Sequence, residues 1–276
     1  MQDNVATSDV SKFICTAYAL ARKSGLHITT GDDFEEYIGI TGKLPGKSPT
    51  YPHFRPDCSD LLPGKAFWII GRDRDDRVAH VQAMRLYDLS NTSLEEHLRT
   101  LRACFANPDL KAGPDSSCRC YAPSARGIAG LVAYRGDLWL RDDFRGRGLV
   151  SFLGRIAFGL AWAKWSPDFI YALVAGWNIE KGVADRHGYL RKEPHGAVLR
   201  LPDQGIYDDD WLVWLTREDV QKMILSASNA AVARQGKADR YGDLLSGQEI
   251  VAQFSQEKCS YGTVSLTIRQ ADRCGY

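Results

Sequence analysis

Apolar residues recur at helical spacing in several segments of the chain, and this pattern predicts amphipathic helices. The segment that begins at Ser93 opens with a capping box, in which the side chains of Ser93 and Glu96 satisfy free backbone N–H groups. Glycine, Asn-Pro or Ser-Pro stands where most of these helices would end. The predicted helices cover residues 8–24, 93–105, 149–165 and 216–231.

Shorter β-prone runs lie between these segments and predict strands. Residues 66–71 and 78–87 flank a charged hexapeptide and are expected to form a hairpin. A second hairpin is expected around Arg135 and Gly136, with residues 127–134 and 137–141 as its arms. Residues 31–64 are rich in Gly, Pro, Ser and Asp and predict an irregular surface excursion. Further strands are predicted at 169–175, 197–201, 211–215 and 264–268.

Length and composition are those of a globular protein with one main domain. The chain has 276 residues, of which 44% are hydrophobic and 25% are charged, and this suits a single core with elaborated ends. We therefore predict an N-terminal helix and irregular extension over residues 1–63, a core domain over 64–216, and a C-terminal helix and tail over 217–276.

The charge balance excludes partners that would be attracted by a large net charge of the protein. Lys and Arg number 35 against 34 Asp and Glu, a formal charge of +1, so neither nucleic acid nor a membrane is expected as a partner. The chain begins without a signal-peptide pattern and has no spanning apolar run, so we expect a cytoplasmic protein. Its seven cysteines are expected as thiols, and the close pair Cys118 and Cys120 has no further ligands at zinc spacing, so no metal is expected.

The loop from Arg145 to Gly148 stands between a predicted strand and a predicted helix, and another strand follows. Strand, loop, helix and strand form a βαβ unit, which requires two parallel strands and brings the helix N-terminus to the strand's carboxyl end. Glycines permit a tight backbone there, and the first N–H groups of the helix have no internal partner. Together with the helix dipole and two arginines, they predict a pyrophosphate site.

The residues of this loop distinguish it from two other kinds of phosphate-binding loop. No Lys-Ser or Lys-Thr follows the glycines, and the spacing of a dinucleotide-binding G-x-G-x-x-G is not completed. The run from Leu138 to Leu149, LWLRDDFRGRGL, instead resembles the central motif of the GCN5-related N-acetyltransferase (GNAT) superfamily, a strand that leads into R/Q-x-x-G-x-G/A and a helix. Val150 stands where that motif has a small residue.

The resemblance continues downstream of the loop. Residues 171–178 are similar to the family's next strand and its Asn-led helix, residues 185–189 to the Gly-aromatic that closes the helix, and 205–215 to the last hairpin. It implies an α/β (α+β) fold with a mixed, mostly antiparallel central sheet, one parallel splayed strand pair and flanking helices. Its implied acyl-CoA site comprises Leu138, Trp139 and Leu140 beside the pantetheine, then Arg145, Gly146, Arg147, Gly148, Leu149 and Val150 around the pyrophosphate, and Asn178 near the point of splay.

The function implied by the resemblance is transfer of an acyl group, in particular acetyl, from acyl-CoA to a small-molecule or peptide amine by direct attack. A homo-oligomer is compatible with it. Many family members carry a tyrosine as general acid in the Asn-led helix, but residues 183–186 contain none. Tyr189, His187 or water could substitute, or coenzyme A could leave as a thiolate.

Candidate side chains for the rest of the chemistry are acidic. Asp137 could deprotonate the amine, although an aspartate after Gly136 is also typical of a turn. The run from Asp208 to Asp210 could attract a cationic amine or could be a solvated loop. Two other functions stay open at this point: a non-catalytic module that binds or senses acyl-CoA, and an interaction protein that retains only the fold.

Overall fold

A mixed eight-stranded sheet is the centre of the computed structural model, which describes residues 5–227. The strands lie in the order β1-β2-β3-β5-β6-β8-β7-β4, and only β5 and β6 are parallel neighbours. This confirms the predicted α/β (α+β) fold class. The strands are β1 His27–Gly31, β2 Ala66–Arg72, β3 Val78–Leu89, β4 Ser117–Arg119, β5 Gly130–Leu140, β6 Phe169–Ala175, β7 Arg191–Leu201 and β8 Ile206–Thr216.

Helices cover both faces of the sheet. They are α1 Thr7–Lys23, α2 Phe34–Thr41, α3 Leu94–Arg99, α4 Pro108–Lys111, α5 Val150–Trp165, α6 Gly176–Glu180, α7 Val183–His187 and α8 at residues 217–227. Short 3-10 turns occur at Pro52–Phe54, Pro123–Arg126, Asp142–Phe144 and Pro202–Gln204. Two of the predicted helices, α1 and α5, therefore form close to their predicted bounds, and α8 begins next to its predicted start.

The two faces bury separate hydrophobic cores. On one face, α1, α5 and α8 pack against the sheet, with Phe13, Ile156 and Ile224 fully buried among them. On the other face, α2, α3 and the turn at Pro52–Phe54 bury Tyr37, Phe54 and Leu98. A central sheet that is covered on both faces must bring any ligand in at its edges or where two strands separate.

The expected hairpin around Arg135 and Gly136 is wrong. Residues 130–140 form the single strand β5, which pairs with β3 from Leu89 to His80. A bulge interrupts this pairing between Val81 and Ala83, where Asp137 adopts φ 51°. The turn-prone residues therefore bend a strand, because the long strand β3 offers hydrogen-bond partners on both sides of them.

Two further expectations are corrected in part. The helix predicted at 93–105 ends at Arg99, because Leu101 adopts φ 58°, which is not helical. Farther along, the Ala103 carbonyl accepts a hydrogen bond from the Tyr87 hydroxyl and not from a helical N–H group. The 31–64 segment is not wholly irregular, since it contains α2, which the Asp33 side chain caps at Glu35 and Glu36.

The predicted boundaries at residues 63 and 216 stay a prediction. The strand at 264–268 lies outside the described residues, as does the end of the helix at 231.

The contact between α1 and α5 depends on a glycine. Gly159 in α5 faces α1, and a Cβ atom on it would stand 2.6 Å from Cγ1 of Ile14 and 3.0 Å from Cδ1 of Phe13. The two helices therefore approach more closely than an alanine at this position would allow.

Gly159→Ala should destabilise the fold, because the added methyl group overlaps α1. We expect the free energy of unfolding to fall by about 1 to 3 kcal/mol, the usual cost of overpacking, measured by urea denaturation. Gly39 in α2 is the matched control, because no atom lies within 4 Å of its added Cβ; there alanine should raise stability by up to about 1 kcal/mol through helix propensity. Equal stability of Gly159→Ala and wild type would contradict this close contact.

Candidate functional site

A cleft of about 440 Å³ opens where the two parallel strands separate. The pairing of β5 with β6 covers only Val132 to Tyr134 against Phe169 to Tyr171. Beyond these residues β5 stays paired with β3, and β6 stays paired with β8. The inner edges of both strands therefore face the cleft with free backbone groups, as the resemblance implied for its splayed pair.

Asp137 lies in the bulge of β5 and is held by the N-terminal part of the chain. Lys47 Nζ donates to its Oδ1 at 2.9 Å, and Tyr37 and Thr50 donate to its Oδ2 at 2.7 and 3.1 Å. The Lys47 and Asp137 side chains are each only 4% exposed. Three donors, one of them charged, therefore satisfy this buried carboxylate and fix the 43–51 segment beside the cleft.

The cleft has a carboxylate side, formed by Tyr51, Asp208 and Asp210 on the α2 face of the sheet. The Tyr51 hydroxyl donates to Asp208 Oδ2 at 2.6 Å. Burial, and then the neighbouring charges of Asp208 and Asp209, raise the pKa of Asp210 to about 7. Asp209 points to the opposite face, where it accepts from His195 at 2.9 Å, so the two cleft carboxylates alternate with an outward one.

An aromatic cluster forms the floor of this side at the point of separation. The Tyr134 ring lies 4.7 Å from the His53 ring, 5.5 Å from Phe54 and 5.0 Å from Tyr171. Burial, with a smaller effect of Arg85, lowers the pKa of His53 to about 3, so its imidazole is neutral. A Cβ at Gly136 would stand 2.7 Å from the Tyr134 ring, so glycine is required there.

The opposite wall is the arginine side, formed by Arg135, Asn178 and His187 on the α5 face. Arg135 is 3% exposed and donates from Nε to Gln82 Oε1 at 2.7 Å. Both of its terminal nitrogens lie 3.1 Å from Nδ1 of His187. Asn178 stands in α6 and His187 at the end of α7, so the two short helices after β6 supply this wall.

The glycine loop joins the end of β5 to α5, as predicted. Gly146 and Gly148 adopt φ 73° and 72°, the left-handed region that favours glycine. Arg145 donates to the Leu140 carbonyl and pairs with Asp142 at 2.7 Å, while Arg147 lies over the Phe144 ring. No side chain caps the first turn of α5, so its N–H groups are available to an anion.

The structure brings the predicted site residues to two places. Asp137, Leu138, Trp139 and Asn178 line the cleft. Leu140 ends β5 between the cleft and the loop, and Arg145, Gly146, Arg147, Gly148, Leu149 and Val150 form the loop and the start of α5, outside the cleft lining. Their role in binding stays a prediction.

Sequence reasoning missed most of the residues that the N-terminal segment contributes. Lys47, Tyr51 and His53 all line the cleft, yet they precede β5 by more than seventy positions in the sequence. The only available signal was the pair of aromatic residues between prolines at 52–56 in an otherwise polar stretch. Arg135 was assigned to a turn, and its pairing with His187 could not be seen.

The described part of the chain contains neither a cluster of metal ligands nor a helix that could span a membrane. Between residues 5 and 227 no His, Cys, Asp and Glu side chains are grouped as a metal site would require. In the same range no helix combines the length and apolar character needed to cross a membrane.

Comparisons with known proteins gave similarity in structure alone. No family model matches the chain, and no curated protein matches it in sequence. The chain is similar to Arabidopsis thaliana NAA60 in complex with acetyl-CoA, at 14% identity and a TM-score of 0.39, over 69% of this chain and 98% of that one. It is also similar to a dodecameric spermidine N-acetyltransferase from Vibrio cholerae, at 11% identity and a TM-score of 0.40, over 70% and 95% of the two chains.

The sheet topology and the glycine loop of this chain identify its fold class. A mostly antiparallel sheet holds one parallel pair that splays, and a glycine loop links the first strand of that pair to a helix. The fold is GNAT-like.

Lys47→Met should destabilise the protein, because it leaves Asp137 buried with only two hydroxyl donors. We expect the free energy of unfolding to fall by about 3 to 5 kcal/mol, as when one partner of a buried ion pair is removed. Lys43→Met, at an exposed position of the same segment, should change it by less than about 0.5 kcal/mol. Combining Lys47→Met with Asp137→Asn should recover part of the loss, and simple additivity of the two changes would contradict the pairing.

Proposed function

We propose that the protein is an N-acyltransferase, which transfers an acyl group, in particular acetyl, from acyl-CoA to a primary amine by direct attack. The observation that carries the proposal is the cleft between the splayed strands, with an uncapped helix N-terminus and its glycine loop at the end of β5. This arrangement offers an anion site next to a row of free backbone groups.

The donor would lie along β5. Its backbone from Gly136 to Leu140 has no partner strand on the cleft side among residues 5–227, so it can bind the amide groups of a pantetheine arm. The N–H groups that open α5 would hold the pyrophosphate, where the helix dipole favours negative charge. The thioester would then point into the cleft, where Leu138, Trp139 and Asn178 form part of the wall.

The acceptor would enter from the carboxylate side. Asp208 and Asp210 would attract an ammonium group, and the aromatic floor at Tyr134 would pack against its carbon chain. Asp210 is our candidate for the general base, since its pKa of about 7 makes it a working acceptor of protons near neutral pH. Asp137 was the first candidate, but to act as a base it would have to give up the Lys47 ammonium.

The proposed reaction is a direct displacement. The amine nitrogen attacks the thioester carbonyl carbon, its proton passes to the Asp210 carboxylate, and the carbon–sulfur bond breaks with its electron pair on sulfur. The products are the amide and coenzyme A. The protein mainly positions two substrates and stabilises the charges that develop between them.

Release of free thiol from acetyl-CoA tests this reaction, measured with a panel of amines, polyamines, amino acids and peptides. Wild type should release thiol with at least one amine, and Asp210→Asn should lower kcat/KM on the order of a hundredfold. The wild-type pH profile of kcat/KM should show a change near pH 7 from Asp210, separate from the titration of the amine at about pH 10. In the Asp210→Asn variant the change near pH 7 should be absent. Coenzyme A binding without any turnover would favour the acyl-CoA binding module, and no binding would favour the interaction protein.

Asp209→Asn is the matched control for Asp210, because Asp209 points away from the cleft; its kcat/KM should stay within about threefold of wild type. Stability supplies a second readout. The raised pKa means that protonated Asp210 favours folding below pH 4 and that this contribution is lost as the pH rises through about 7. At pH 8 Asp210→Asn should therefore be more stable than wild type, and lower stability there would contradict the burial of this carboxylate.

Gly148→Val should abolish measurable coenzyme A binding in a protein that still folds. A β-branched residue is strongly disfavoured at φ 72°, so the loop would change its conformation and turn its N–H groups away from the pyrophosphate. Gly64→Val is the control, because Gly64 has φ 76° and equally open surroundings but lies in the turn before β2. Calorimetric titration, with circular dichroism for folding, should show wild-type affinity for Gly64→Val; the same affinity for Gly148→Val would remove the loop from the site.

A further inference from the structure

The arginine side of the cleft contains a buried cation without a buried anion. Arg135 bonds to the Gln82 amide and the His187 ring, and its guanidinium lies 5.4 Å from the centre of the Phe158 ring. No carboxylate within residues 5–227 forms an ion pair with it. Burial accordingly lowers the pKa of Arg135. A charge in such surroundings is costly, and a ligand that brings negative charge close to it would relieve that cost.

The bonds of Arg135 fix the proton of His187. A guanidinium can only donate hydrogen bonds, so Nδ1 of His187 is the acceptor and the neutral ring carries its hydrogen on Nε2. Burial, and then the charge of Arg135, lower the pKa of His187 well below its usual value, with smaller effects of His80 and Arg186, so the ring stays in this neutral form.

The Nε2–H group of His187 has no acceptor of good geometry. The nitrogen is buried, and within residues 5–227 it makes no hydrogen bond of normal length and angle, although the Val150 backbone is close enough to the ring to raise its pKa as a hydrogen-bond acceptor does. The residue is 5% exposed and borders the cleft. A buried donor without a good acceptor is costly, and a ligand in the cleft could supply the acceptor.

The position of His187 in the fold agrees with a role at the leaving group. It ends α7, which also contributes Val183 and Ala184 to the cleft wall. A Cβ at Gly154 would stand 2.7 Å from the His187 carbonyl oxygen and 3.4 Å from Nδ1 of its ring, so the residue lies against the second turn of α5. In the proposed function the donor runs from the start of α5 into the cleft, and its sulfur has to pass this wall.

We propose that His187, held and polarised by Arg135, donates the Nε2–H hydrogen bond to the sulfur of acyl-CoA as the carbon–sulfur bond breaks. Sulfur takes the electron pair and leaves as a stabilised thiolate, the amine proton goes to Asp210, and the thiolate takes a proton from solvent after release. This inference rests on the proposed function.

The ionisation of bound coenzyme A tests the inference without turnover. Coenzyme A is titrated in its complex by thiolate absorbance in the ultraviolet, with the complex of desulfo-coenzyme A subtracted to cancel the protein's own groups. We expect the bound thiol of wild type to titrate about one pKa unit below free coenzyme A, a tenfold shift in its ionisation. A bound thiol that titrates like free coenzyme A would overturn the inference, even where acetyl transfer stands.

Variants at position 187 identify the donor. His187→Gln can still accept from Arg135 and donate to sulfur, so it should keep at least half of the shift, whereas His187→Phe should lose it and lower kcat by about a hundredfold with little change in KM for acetyl-CoA. His97→Gln is the control, because its Nε2 is also buried without a partner but it does not border the cleft. If Tyr189→Phe abolishes the shift and His187→Phe does not, Tyr189 is the donor and the inference is wrong.

Binding is measured on each sample first, which separates the two proposals. Absence of coenzyme A binding by wild type would remove the proposed function and this inference together. Binding with a normal thiol pKa would remove the inference alone. If His187→Phe does not fold, the wild-type titration and His187→Gln still decide, since loss of the shift in the glutamine variant also overturns the inference.

Discussion

Where β5 and β6 separate after Tyr134 and Tyr171, the sheet gives up the hydrogen bonds that would pair their inner edges. The separation is stable because each strand keeps a long antiparallel partner on its outer side, β3 for one and β8 for the other. At the closed end, Asp168 connects the pair, as its backbone N–H donates to the Leu131 carbonyl and its side chain accepts from the Leu131 N–H. The resulting wedge determines where the cleft, the glycine loop and the two short helices α6 and α7 can lie.

The N-terminal segment completes this wedge. The bulge at Asp137 directs a carboxylate toward the α2 face, and the buried Lys47 ties the chain to it. This contact positions the segment so that the Tyr51 hydroxyl donates to Asp208 on the carboxylate side of the cleft. An ion pair buried on both sides is weak evidence for stability, but it fixes the relative position of two segments that are far apart in the sequence. The carboxylate side of the cleft therefore combines Tyr51, from outside the part of the chain that resembles the family, with Asp208 and Asp210 from inside it.

The sequence predicted what depends on local pattern. The helices at α1, α5 and α8, the β2–β3 hairpin, the parallel pair and the glycine loop all follow from periodicity, caps and spacing over short distances, and all are confirmed. Arg135 and Gly136 have turn chemistry and predict a turn where the structure has the β5 bulge, because only the pairing with the long strand β3 shows that β5 continues past them. The α3 helix was overextended for a related reason: Leu101 and Phe105 are buried as a helix would bury them, but by a chain that has already turned.

Side-chain partners between distant elements were beyond such reasoning. Nothing in the sequence pairs Lys47 with Asp137 or Arg135 with His187, because each pair is brought together only by the strand order. The second pair nevertheless contributes to the electrostatics of the cleft, since it holds a buried cation on the arginine side. Carboxylates stand on one side, with a pKa raised to about 7 at Asp210, and an uncompensated arginine stands on the other.

That division has a chemical consequence for the proposed reaction. Acyl transfer to an amine creates positive charge on nitrogen and negative charge on the leaving sulfur within one step. A cleft with an anion on the amine side and a cation on the sulfur side stabilises both charges as they form, and since the groups are already fixed they need no reorganisation.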